Sequence, residues 1–189
     1  MVSGLPHPIN RPPVTEDSRM PSLKELALTQ ERLKHLLHYN PDTGVFTWVQ
    51  RASKSVRVGN SAGSKNKSGY IDIRIDKSLH KAHRLAWLYI YGVWPNGKID
   101  HINNVKTDNR ICNLREASNN ENGWNVGKPS TNTSGVKGVS WDAEKNKWKA
   151  HCRVFGKKYT VGRFSSQEDA ERAVAEFRNK HHGEFCNHG

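Results

Sequence analysis

Cysteine is scarce in this chain. Its 189 residues hold three, Cys112, Cys152 and Cys186, odd in number, far apart and without a CxxC pair. That excludes a disulfide framework and a cysteine-ligated zinc site. Apolar residues are also few, at 34%, with a mean hydropathy of −0.83. A core must therefore be concentrated in a few segments, with six tryptophans and five tyrosines to anchor it. No apolar run approaches membrane-spanning length. The opening MVSGLPHPINRPPVTEDSRM lacks the apolar stretch of a signal peptide, so the expectation is a soluble, cytoplasmic protein. Acidic residues are in deficit, 18 against 30 Lys and Arg, for a formal net charge of +12. That balance points to a polyanionic partner, most simply nucleic acid, ahead of a merely soluble basic protein.

The excess charge is localised. Residues 50–84 carry nine basic and two acidic side chains, whereas 1–49 carry five of each. Residues 136–163 hold eight basic side chains against Asp142 and Glu144; residues 164–189 reverse this, with three basic and five acidic. A basic front and an acidic back suit a sheet facing DNA with a helix facing solvent.

Five of the eight prolines fall in residues 1–21, and residues 1–22 read as a flexible tail. Apolar residues at 23, 26, 33, 36 and 37 predict one amphipathic helix, stopped by Asn40-Pro41. Strands are predicted at Val45–Trp48 and Tyr70–Ile75, and a helix from about Lys81 to Tyr91, closed by Gly92 and Pro95. Lys98-Ile99-Asp100-His101 reads as a short extended segment, and Asn113–Ala117 follows a long polar loop. Ser118 with Glu121 is a capping-box pattern that starts a further helix. Residues 124–134 read as a linker. Beyond it come strands at Gly138–Trp141, Lys147–Val154 and Lys158–Phe164. A final helix follows, with Ser165-Ser166-Gln167-Glu168 as its capping box and Ala170, Ala173, Val174 and Phe177 as its apolar stripe. That is a three-stranded antiparallel sheet packed on one helix.

The segment IDHINNVKTDNRICNLREASNNEN, residues 99–122, is too polar for a core. Phosphodiester hydrolysis needs a cation to neutralise charge and a base to deprotonate water. Histidine suits the base near neutral pH; aspartate and an asparagine carbonyl are hard ligands that magnesium accepts. Asp100, His101 and a downstream asparagine thus suggest a one-metal nuclease site. The competing reading is an asparagine-rich loop that satisfies its own backbone.

Taken together, LTQERLKHLLHYNPDTGVFTW, HRLAWLYIYGVWP, IDHINNVKTDNRICNLREAS and NNEN resemble the HNH homing-type endonucleases of phages and group I introns. The resemblance spans about residues 28–125. It implies an α+β chain with a ββα-metal (His-Me finger) module over 23–123, a phage-encoded protein and one Mg²⁺ or Mn²⁺ per site. It further implies Asp100 as a metal ligand, His101 as general base, Asn113 as a brace of the loop, and Asn122 as the second metal ligand. Many relatives carry histidine where this chain has Asn122, and Asn119, Asn120 and Asn125 stay open as alternatives for that position. His83, Arg84, Arg110 and Arg115 are candidates for phosphate contact, with packing or solvent exposure as the other reading.

The segment 134–185 resembles the Apetala2-type DNA-binding domain, through its Gly-Val opening, Lys147-Trp148 followed by Ala150, Gly162-Arg163-Phe164 and its alanine-rich helix. The resemblance implies that the sheet of residues 135–189 enters the major groove. The candidate contacts are Lys137, Ser140, Trp141, Lys147, Lys149, His151, Arg153, Lys158, Tyr159 and Arg163. Strand parity favours Lys147, Lys149, His151 and Arg153 and turns Trp148 towards the helix. The expected activity is nicking of duplex DNA by a monomer, with a transient dimer for double-strand cutting. The alternatives are a DNA-binding regulator on an inactive nuclease fold and, more weakly, RNA cleavage.

Overall fold

Where apolar and polar residues alternate, the chain forms strands, and their partners come from segments with weaker patterns. The computed structural model describes residues 20–189; all but the last three residues of the proposed tail lie outside the described residues. Strand β4 (Ile71–Ile75) buries Ile73 and Ile75 and exposes Arg74. It lies between β3 (Ser64–Lys65) and β5 (Ser78–Lys81), antiparallel to both. Strand β5 had no sequence signal. Its hairpin turns on Asp76 and Lys77, both at positive φ (45° and 66°). That is the backbone of a type I′ turn, made here without the usual Asn-Gly.

The expected N-terminal helix is two helices, α1 (Leu23–Leu26) and α2 (Gln30–Leu36). Thr29 breaks them apart: its side chain accepts from the Arg32 N–H at 3.1 Å and caps a new start. Leu37 does not extend α2 but opens β1 (Leu37–Asn40), which pairs with β2 (Val45–Trp48). Helix α3 (Ala82–Tyr91) ends, as its glycine suggests, with Gly92 in the left-handed region at φ 74°. Its inner face joins Leu33, Leu37, Tyr39, Phe46, Ile73 and Ile75 in the first core, which also takes in Ile99 and Leu114. Those last two belong to β6 (Lys98–His101) and β7 (Leu114–Ala117), an antiparallel pair followed by α4 (Asn119–Trp124). The capping box forms as read: Ser118 Oγ accepts from the Glu121 N–H and Glu121 Oε2 accepts from the Ser118 N–H.

The second module orders its strands β10 (Lys157–Phe164), β9 (Lys147–Val154), β8 (Val139–Asp142), all antiparallel. Helix α5 (Gln167–His182) covers one face, and Val139, Ala150, Cys152, Val154, Ala170 and Val174 make the core between them. The cap of α5 is shifted by one residue from the sequence reading. Ser166, not Ser165, accepts from the Asp169 N–H at 3.1 Å. Helix α4 reaches the first residue of the segment read as a linker. Trp124 completes α4 and stacks on His182 of α5, centroids 4.5 Å apart and planes within 3°.

Arg84 also departs from the phosphate contact offered for it: its guanidinium is buried between elements. It pairs with Glu25 at 2.6 Å, both side chains being under 7% exposed, and donates to the carbonyls of Gly97 and Pro95. Burial pushes the Glu25 carboxyl up, but the Ser22 N–H and Arg84 outweigh it and hold the group below its ordinary 4.5. A folded value below the unfolded one makes the contribution of this group present above pH 4.5 and lost as pH falls through the folded value. Glu25→Ala strands a buried cation and should cost about 3 kcal/mol. Urea denaturation at pH 7 reads that loss, and a change within error would show that the carbonyls alone compensate Arg84.

Candidate active site

His101 is the last residue of β6, so Asp100 and His101 stand at a strand end and both are buried, at 4% and 5% exposure. Their side chains meet different neighbours. Asp100 Oδ2 accepts from Arg115 Nε at 2.9 Å and lies 2.9 Å from Nη2. The amide of Asn125 donates to both oxygens, at 3.0 and 2.9 Å, and also to the His101 carbonyl at 2.9 Å. Among the described residues, Oδ1 therefore accepts from Asn125 alone, and one of its lone pairs stays open.

His101 is oriented by Asn109, a buried residue that the sequence reading passed over. Asn109 Nδ2 lies 3.4 Å from the Thr107 carbonyl, which turns Oδ1 towards His101 Nε2 at 3.2 Å. Since Oδ1 can only accept, the ring carries its proton on Nε2 and presents Nδ1 as a base. Burial pushes the His101 pKa down; Asn109 and the Asp100 charge oppose this without cancelling it. The ring is thus neutral at pH 7. The Asn109 loop is itself clamped. Its carbonyl accepts from the Tyr39 hydroxyl at 2.7 Å, and Gly44, at φ +72°, sits so close that a Cβ would lie 2.5 Å from its backbone.

Asn113 braces the same loop. Its amide donates to Asn103 Oδ1 and the Asp108 carbonyl, and its Oδ1 accepts from the Asn103 N–H. Asn122 is half-buried on α4, three residues before Asn125, so one helical face carries both. Asn119 is exposed and Asn120 half-buried at the start of that helix. Among the described residues no group of three or more His, Cys, Asp or Glu side chains could hold a metal ion. A carboxylate oxygen and an amide oxygen remain as the candidate donors. They fit a hard cation that keeps most of its positions for water and phosphate.

Around His101 stand His83, a candidate from the sequence, and Tyr70, Lys81 and Lys106, which the sequence did not group with it. His83 lies edge-on to it at 5.1 Å. Burial, then the neighbouring His101, pushes the His83 pKa down to about 3, and its buried Nδ1 makes no hydrogen bond. The Tyr70 ring is 5.9 Å from His101 and 5.3 Å from His83. Lys106 and Lys81 lie over it at 5.0 and 5.6 Å. Arg110 pairs with Asp108 at 2.6 Å and stays half-exposed. Arg115, read as meeting either phosphate or solvent, is instead largely withdrawn from solvent by its bonds to Asp100.

On β9 the parity reading holds. Ala150, Cys152 and Val154 are buried, while Lys147, Lys149, His151 and Arg153 alternate with them on the other face. Lys158 lies across from Arg153 and Arg163 across from Lys149, with Arg163 tied to Asp142 at 2.8 Å. Trp148 packs towards the second core, and Trp141 is exposed. Lys137 does not belong to that face. Its ammonium donates to the carbonyls of Trp124, Val126 and Asn187, and burial pushes its pKa down to about 8.

A family model described as HNH endonuclease matches residues 80–124, from β5 to the end of α4. Protein 3.8 of Escherichia phage T7 is 35% identical over 116 residues, covering 58% of this chain and 93% of that protein. The chain belongs to one family with that phage protein, and residues 80–124 carry an HNH endonuclease domain. No solved structure matches it. The HNH match contains Asp100, His101, Asn109, Asn113 and Asn122 and stops one residue before Asn125. Nitrogen-detected NMR of the free protein should find His101 as the Nε2–H tautomer, and Asn109→Ala should remove that preference. An Nδ1–H ring in the wild type would reverse the assignment of the base.

Proposed function

We propose that this protein is a metal-dependent, homing-type DNA endonuclease that nicks duplex DNA. The observation that supports it most is the pairing at the end of β6: a carboxylate with one open lone pair on Oδ1 beside a neutral histidine whose Nδ1 is free to accept a proton. In this reading β6, β7 and α4 form a ββα-metal module. Asp100 Oδ1 and the Asn122 amide oxygen would hold one Mg²⁺ or Mn²⁺, which when bound supplies neutralisation of charge on the phosphate and the leaving oxygen. His101 Nδ1 takes a proton from the attacking water. The new bond forms between that oxygen and phosphorus, and the bond to the 3′ oxygen breaks in line with it. The 3′ oxygen leaves as a hydroxyl after taking a proton from solvent, and the 5′ side keeps the phosphate.

Asn109 keeps the His101 ring from turning its protonated nitrogen to the water. Asn113 holds the loop that carries Asn109. The C-terminal sheet, read as an Apetala2-type domain, brings Lys147, Lys149, His151, Arg153, Lys158 and Arg163 to DNA. Arginine suits guanine and the lysines suit phosphate. His83 and Arg110 remain candidates beside the scissile phosphate. One site per chain makes a nick the product of a monomer, and a transient dimer would cut both strands. The phage relative supports action in the bacterial host cell.

Plasmid relaxation tests the reading. Wild type should convert supercoiled to open-circular DNA with Mg²⁺ and not with EDTA, and His101→Ala should lose conversion while keeping affinity. DNA binding without conversion under any divalent cation would favour a regulator on an inactive nuclease fold. The sheet has its own test. Lys149→Ala with Arg153→Ala should reduce the slope of log affinity against log salt by about 0.9 for each phosphate contact removed. An unchanged slope would place the DNA on another face.

A further inference from the structure

The carboxylate assigned to the cation is held from both modules. Arg115 directs Nε and Nη2 to Asp100, and its Nη1 donates to the Glu184 carbonyl at 2.6 Å. Its guanidinium lies 3.9 Å above the ring of Phe185, which is buried. Asn125, which touches Asp100 and the His101 carbonyl, is itself held by Asn187, whose amide donates to the Asn125 carbonyl at 2.8 Å. Lys137 bonds the carbonyls of Trp124 and Asn187 together at the same junction. Glu184, Phe185 and Asn187 follow directly on α5 of the second module.

The geometry restricts Arg115. A guanidinium is a planar fork with five donors, equally able to lie across both oxygens of a carboxylate. Here the Phe185 ring fixes the plane of the fork, and the Glu184 carbonyl fixes its rotation within that plane. Both nitrogens facing Asp100 are thereby confined to Oδ2. A freed Arg115 would swing across both oxygens and compete with a cation for Oδ1. Asn187 acts likewise at the end of α4, holding Asn125 against Asp100.

We infer that segment 183–187 is a positioning strut of the cutting site, in which Glu184, Phe185 and Asn187 aim Asp100 Oδ1 through Arg115 and Asn125. The inference rests on the nuclease reading above. It makes the second module part of the metal site's support as well as a reader of DNA.

The test uses the full chain with Phe185→Leu, which keeps apolar volume but loses the aromatic face, and Asn187→Ala. Phe185→Tyr serves as the conservative control. Mn²⁺ affinity is measured without DNA, from the electron paramagnetic resonance of free Mn²⁺. DNA affinity in EDTA and the thermal midpoint are measured beside it. The Mn²⁺ dissociation constant should rise about tenfold in the first two variants and recover in Phe185→Tyr, as expected when an outer partner of a metal ligand is lost. The half-saturating Mg²⁺ for nicking should rise in parallel, with DNA affinity and thermal midpoint unchanged. Mn²⁺ affinity equal to wild type overturns the inference. So does a loss matched by equal losses in DNA affinity and thermal midpoint, which would make the segment a folding element only. If wild type binds no Mn²⁺ and nicks no plasmid, the nuclease reading falls and takes the inference with it. If wild type does both and the variants match it, the inference alone falls.

Discussion

A carboxylate inside a protein must be compensated, and the site is arranged around how Asp100 meets that demand. At 4% exposure it cannot rely on water. Arg115 on β7 supplies the opposite charge and Asn125 at the end of α4 supplies neutral donors, and the segment after α5 holds both of them in turn. Using Arg115 in this way removes it from the surface and draws the second module against the first. The same rule governs Arg84, whose buried charge is answered by Glu25 and two carbonyls. Buried pairs of this kind add little net stability compared with apolar packing, yet removing one partner is expensive. Their effect is to fix which surfaces meet, so that α1, α3 and the 95–97 turn have a single arrangement.

His101 depends on a different constraint, the direction of one proton. A neutral imidazole in the wrong tautomer presents an N–H where a lone pair is needed. Asn109 settles this, and its own orientation is settled by the Thr107 carbonyl. The hairpin of β1 and β2 sets where Asn109 lies, with Tyr39 bonded to its carbonyl and Gly44 pressed on its backbone. A hairpin distant in sequence thus controls a proton on the catalytic candidate. LTQERLKHLLHYNPDTGVFTW accordingly shares one core with β6 and β7 and is not an independent appendage.

What was legible in the sequence was local. The Ser118 box, the β9 parity and the end of α3 at Gly92 depend on residues within a few positions of one another, and the structure has them as read. The fate of a cation is not local. Arg84, Arg115 and Lys137 look like Arg153 in composition, yet each is drawn inward by carbonyls or a carboxylate contributed from far along the chain. Asparagines were harder still. Asn109, Asn113, Asn122 and Asn125 sit in one polar run, and nothing in that run separates the residue that orients a base from the one that supports a carboxylate. Strand β5 was invisible for another reason: its turn adopts positive φ at Asp76 and Lys77, residues that seldom announce it.

The charge asymmetry gains its meaning only with this partition. Arg84, Arg115 and Lys137 are withdrawn from the surface, whereas Arg51, Lys54, Arg57, Lys65 and Lys67 before β6 and Lys147, Arg153, Lys157, Lys158 and Arg163 after it stay exposed. The neutral histidine and compensated aspartate of the candidate site carry little charge themselves, and Lys81 and Lys106 beside Tyr70 are the nearest cations a polyanion would meet. In the proposed reading the flanking basic surfaces would supply long-range, salt-sensitive attraction, and the buried groups, which salt screens little, would supply the chemistry. Affinity for DNA could then vary without disturbing the proton on His101.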